Sequence, residues 1–237
     1  MKKLILLVVV LACGLSTMAQ ETQEAEQPKR TVRDTYDYQK NVAIYSRALK
    51  YNDQAAAKNA LFSLIALEPQ NDSLLFSLSY MYFENQNYIS AILTSKDLLT
   101  LNPNNEAALE IAAISYENIG VRDKALESYE SLYLKNEDLG TLYKIAFLQY
   151  QMNRYSEART SAEIVLDKEE AKDMTLYFTT SDNQQQEIPV TASVHNLLGM
   201  INQAQDKKEA AREQFNKALQ ITPEFELAKN NLDSLDK

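Results

Sequence analysis

Tryptophan is absent from the 237 residues, and cysteine, histidine, glycine and proline are scarce, at one, one, four and five. A lone Cys13 can close no disulfide within the chain. If the N-terminal segment that holds it is removed, thiol nucleophiles and cysteine metal sites are excluded as well. With His195 as the only histidine there is no HExxH pair and no histidine ligand set, and the few glycines form neither a phosphate-cradling loop nor a serine elbow. No EF-hand spacing is present. The residues therefore give no reason to expect an enzyme, a cofactor or a metal. Beyond Lys29 and Arg30 there is no basic run. The formal net charge of −9 then makes nucleic acid an improbable partner. After the first residues no stretch approaches the roughly 18 apolar residues of a membrane helix, so no stable membrane insertion of the mature chain is expected.

What is present begins with Lys2 and Lys3, an apolar run from Leu4 to Leu11, and small residues ending at Thr17, Met18 and Ala19. That order is the pattern of a secretory signal peptide over 1–19, with cleavage expected after Ala19 and an exported, periplasmic or secreted product. The alternative is a lipoprotein anchored through Cys13, but Leu11 is bulky where that motif prefers a small residue. Residues 20–37 are rich in Glu, Gln, Thr and Lys and too poor in apolar side chains to offset the entropy of ordering, which predicts a flexible leader.

Further on, alanines recur in similar surroundings at Ala57, Ala91, Ala125, Ala158 and Ala211. Their spacing is about 34 residues, interrupted by one longer interval. At a fixed offset ahead of them stand Tyr45, Ser79, Ala113, Ala146 and Gly199, four of them small. Leu64, Leu98, Leu132, Val165 and Ala218 follow at a fixed offset behind. Small residues in both places let two helices approach closely. Pro69, Pro103 and Pro223 then stop the second helix. Each copy reads as a helical hairpin.

On these residues the chain resembles the tetratricopeptide repeat family. The last copy carries His195, Leu198, Gly199, Ala211, Phe215, Ala218 and Pro223 in the family pattern. The second carries Leu75, Leu78, Ser79, Tyr82, Tyr88, Ala91 and Pro103. The resemblance implies an all-α fold, a right-handed α-solenoid of about five helix hairpins at 38–71, 72–105, 106–138, 139–172 and 192–225. The first unit matches least, because Tyr45 occupies a small-residue position. Phe225, Ala228, Leu232 and Leu235 form one apolar stripe, which predicts a capping helix over 226–237. The long interval fits an insertion at 173–191. There Met174, Leu176 and Phe178 alternate with polar residues or Tyr177, and Ile188 and Val190 alternate again beyond a polar turn, the signal of a β-hairpin.

One further row lies on the first helix of each unit, about a third of a turn from the packing face. It reads Phe76, Tyr80 and Phe83 in the second unit, Glu110, Ile114 and Glu117 in the third, and Tyr143, Phe147 and Tyr150 in the fourth. Met200 holds the middle position in the fifth. The resemblance implies that this row lines a concave groove, here aromatic and mildly acidic. It lacks the Lys and Asn set with which the family's best-known clamp holds a terminal carboxylate. The expected function is a non-catalytic scaffold for an extended protein or peptide segment. A glycan receptor and a self-assembling subunit, hence a homo-oligomer, are the alternatives. His195, where other units carry leucine, reads as a packed imidazole.

Overall fold

The protein is described here by a computed structural model covering residues 31–236. The signal peptide expected at 1–19, Cys13 and the leader up to residue 30 lie outside the described residues. Eleven α-helices follow one another among the described residues: α1 (Val32–Lys50), α2 (Gln54–Leu67), α3 (Asp72–Glu84), α4 (Tyr88–Leu101), α5 (Glu106–Asn118), α6 (Arg122–Asn136), α7 (Leu139–Gln151), α8 (Tyr155–Asp167), α9 (Val190–Ala204), α10 (Lys208–Ile221) and α11 (Glu226–Ser234). Consecutive helices pair as five hairpins, α1 with α2 through α9 with α10, and α11 closes the series against α10. First helices also meet each other, α3 on α5 and α7 on α9.

The marker alanines explain the pairing. All five, Ala57, Ala91, Ala125, Ala158 and Ala211, are 0% exposed, because each sits where the second helix of a unit crosses the first. Across from them Ser79, Ala113 and Ala146 are fully buried too. Ser79 makes a 2.6 Å hydroxyl pair with Ser95 and donates to the Ala91 carbonyl, which satisfies polar atoms that burial would otherwise penalise. At Gly199 the approach is closest. A Cβ there would lie 2.4 Å from the Phe215 ring.

Helix boundaries follow local chemistry. Asp53, Asn71, Asn105 and Asp138 each accept a bond from a first-turn amide at the start of α2, α3, α5 and α7, satisfying a donor that the helix leaves free. Glu68, Asn102 and Thr222, the residues before the three prolines, have φ of −136°, −134° and −135° and end α2, α4 and α10, since the proline ring disfavours helical geometry in its predecessor. Where no proline follows, α6 ends differently: Glu137 takes a left-handed conformation at φ 51°.

Two boundaries differ from expectation. Helix α1 begins at Val32, inside the segment expected to be leader. Thr31 supplies the reason by forming a reciprocal capping box with Asp34, which fixes the first turn despite its polar composition. Helix α9 likewise begins at Val190, within the expected insertion.

A short 3₁₀ turn (Glu169–Lys172) ends the fourth unit, and the insertion then forms an antiparallel hairpin of β1 (Thr175–Thr179) and β2 (Gln185–Pro189). Leu176 faces Ile188 and Phe178 faces Gln186 in its register, so the inner face carries Leu176, Phe178 and Ile188 while Thr175, Tyr177 and Thr179 stay exposed. A lone hairpin is marginal in water. This one is held at its base, where the Val190 amide donates to Met174 O at 2.8 Å, and at its tip, where the Ser181 amide donates to Glu226 Oε1. Ile188 is buried with Ala192, Ala218, Phe225 and Ala228, joining hairpin, α9, α10 and α11. The largest core cluster runs from α5 to α9.

Candidate functional site

The row lies on the first helices α3, α5, α7 and α9, and its members do not share one environment. On α3 the rings of Phe76 and Tyr80 lie 6.1 Å apart. Tyr80 is 48% exposed, and the neighbouring Glu84 carboxylate, by charge and hydrogen bond, holds its hydroxyl above the usual phenol range. Phe83 contacts Tyr88 at the start of α4 edge-on. On α5, Glu110 and Glu117 are exposed and Ile114 is half-buried. Glu117 accepts a hydrogen bond from the buried Tyr129 hydroxyl at 3.0 Å. Burial first, and the Glu117 charge second, push the Tyr129 hydroxyl strongly upward.

On α7 the row turns inward. Phe147, Tyr150 and Tyr155 form a chain of rings at 6.2 and 6.0 Å that leans on the core. Tyr143 does not line an open groove: it is only 8% exposed, because Phe178 of the hairpin covers it edge-on at 6.5 Å. Burial raises its hydroxyl well above the ordinary value. In α9, Met200 packs beside Ala211, Phe215 and Leu235. The neighbouring Asn196 is buried and accepts from Asn231 of the cap.

A cavity of about 300 Å³ opens where the hairpin overhangs α7. Leu176, Tyr177 and Phe178 form one wall, Gly140, Thr141 and Tyr143 the other, with Glu110, Asp138 and Lys144 around them. The hairpin's part in it was hidden from sequence reasoning, although the alternation of Leu176 and Phe178 already placed both on one face. No cluster of three or more His, Cys, Asp or Glu side chains suited to a metal occurs among the described residues. Nor is any described helix long and apolar enough to cross a membrane. His195 is half-buried and shares a 2.8 Å hydrogen bond with Gln214.

Residues 192–225 match the tetratricopeptide repeat family. The chain superposes on MamA with a TM-score of 0.62 at 15% identity, covering 81% of this chain and 97% of that one. The fold is a tetratricopeptide-type array of helix hairpins. Similar agreement is found with YrrB, described as a tetratricopeptide repeat protein with an unusual peptide-binding site, at TM-score 0.62, 14% identity and coverage of 80% and 89%. A tetratricopeptide repeat protein from Parabacteroides merdae gives 0.51, 18%, 85% and 100%. No curated protein matches the chain. At identities this low the likeness shows the fold alone. The hairpin between the fourth and fifth tetratricopeptide units then stands as an added element on a repeat array.

Proposed function

We propose that the protein is an exported scaffold that holds an extended polypeptide segment along the row of first-helix side chains. The observation that carries this is Tyr80: a large aromatic, half exposed, backed by Phe76 on one side and bordered by the Glu84 carboxylate. Rigid aromatic anchors supply contact area with few rotamers to freeze, and a few of them usually carry most of an interface's energy. Extended segments suit such surfaces because alternate side chains can enter successive sites. Export rests on the N-terminal pattern of Lys2, Lys3, the apolar run and Ala19.

Placing a photo-crosslinking residue at position 80 tests the function, with one at position 93, exposed on α4, as control. Defined protein adducts from position 80 and none from position 93 are expected. The reverse pattern would move the binding surface to the second helices. Mass spectrometry of the mature N-terminus tests export: a chain starting at Gln20 is expected, and a lipid-bearing Cys13 would place the protein on a membrane.

A further inference from the structure

We propose that the cavity under the hairpin is a pocket for one basic side chain, Lys or Arg, of the bound polypeptide. This rests on the scaffold function above and adds the chemistry of its partner. At about 300 Å³ the cavity lies at the small end of the range for ligand sites, a size for one side chain and not for a folded surface.

Three features ask for a ligand of that kind. First, Tyr143 is more than nine-tenths buried, yet burial is the sole influence on its hydroxyl and no hydrogen bond reaches it from the described residues. The hydroxyl is also not among the sealed, unpartnered polar atoms of the described residues, which are Ser115 Oγ and Thr222 Oγ1. It is therefore not sealed, and the residue lines the cavity. A hydroxyl on an otherwise buried ring, with no partner among the described residues, is available to bond a ligand's polar group.

Second, the carboxylates of the cavity are under-used. Glu110 has no ion pair among the described residues. Asp138 spends Oδ2 on the amide and hydroxyl of Thr141, at 2.7 and 2.9 Å, and leaves Oδ1 without a partner there. Lys144 does not neutralise them by a salt bridge. Its ammonium lies 5.3 Å from the centre of the Tyr129 ring, and Tyr129 is itself anchored to Glu117.

Third, the walls are aromatic. Tyr143, Tyr177 and Phe178 line the cavity and offer ring surface to a cation and to the methylene stem behind it. An acidic side chain would meet Glu110 and Asp138. A purely apolar one would leave the Tyr143 hydroxyl and both carboxylates unmatched.

The test uses the full chain in solution, amide NMR, and four blocked amino acids: N-acetyl methylamides of lysine, arginine, norleucine and glutamate. Lysine and arginine probes should move the amides of Gly140, Thr141 and Tyr177 saturably, with norleucine and glutamate at least about tenfold weaker. Glu110→Gln and Tyr143→Phe should each weaken the lysine probe several-fold while leaving the melting temperature in place. Equal binding of norleucine, preference for glutamate, or no saturable shift with any probe overturns the pocket. Loss of the pocket with adducts at position 80 intact leaves the scaffold function standing. Loss of both removes the scaffold function as well.

Discussion

The ring of Phe178, in the hairpin, meets the ring of Phe225, the residue that opens helix α11, with 5.3 Å between centroids. An element inserted between the fourth and fifth repeats is thus in contact with the cap of the whole array. On its other side the same ring covers Tyr143 of α7. The insertion bridges units that the repeat pattern alone would leave joined only through their shared neighbours.

Phe178→Ala is therefore expected to destabilise the protein by about 2–4 kcal/mol, somewhat less than a fully enclosed aromatic. The loss should concentrate in α10 and α11. Hydrogen exchange resolved by segment checks this, since a merely decorative hairpin would leave protection in α11 unchanged.

Gly199→Ala should cost about 1–3 kcal/mol, the range for overpacking a filled core. The added methyl would lie within 2.4 Å of the Phe215 ring, which is itself fully enclosed and has nowhere to swing. Phe215→Leu in the same chain should recover part of that loss, so the double variant should melt above the value expected from adding the two single effects.

Tyr80→Asn and Phe147→Asn should separate, although they hold equivalent positions in the second and fourth repeats. Tyr80 is half exposed and Phe147 is packed on the α5–α9 core. The first should change the unfolding free energy by less than about 1 kcal/mol and the second lower it by about 1–3 kcal/mol. Chemical denaturation of both variants decides the matter.

Alkaline pH should unfold the protein through its buried phenols. Desolvation raises the hydroxyls of Tyr129 and Tyr143 above the usual tyrosine value, whereas in the unfolded chain they ionise near about pH 10. Below that pH the two states bind the same protons at these sites and stability is unaffected by them. Above it the unfolded state releases protons that the folded state retains, so stability falls as pH rises. Tyr129→Phe should flatten that fall, measured by denaturation midpoints across the alkaline range.

The repeat array was legible because its signals are local and periodic. Ala57, Ala91 and Ala125 mark the helix crossings by their spacing, and Pro69, Pro103 and Pro223 mark the ends of second helices by backbone sterics. The start of α1 was not, since composition outweighs one capping box when Thr31 and Asp34 are weighed against a polar segment. Tyr143 was misjudged for a different reason. Its position within the repeat points outward, and only the long-range fold of Phe178 back onto α7 converts it to a buried residue. The turn of α6 at Glu137 was also silent, because a left-handed glutamate carries none of the glycine preference that announces such an ending.

Helix α1 buries one residue, Ala48, while Val32 and Tyr36 near its start are 90% and 67% exposed. In a one-dimensional array each hairpin is stabilised by its neighbours, and among the described residues α1 packs chiefly on α2. The opposite end is sealed by α11 and clasped by the hairpin. Among the described residues the array is consequently unequal in its resistance to melting, with opening set to begin in α1 and to travel toward the more tightly fastened hairpin and cap.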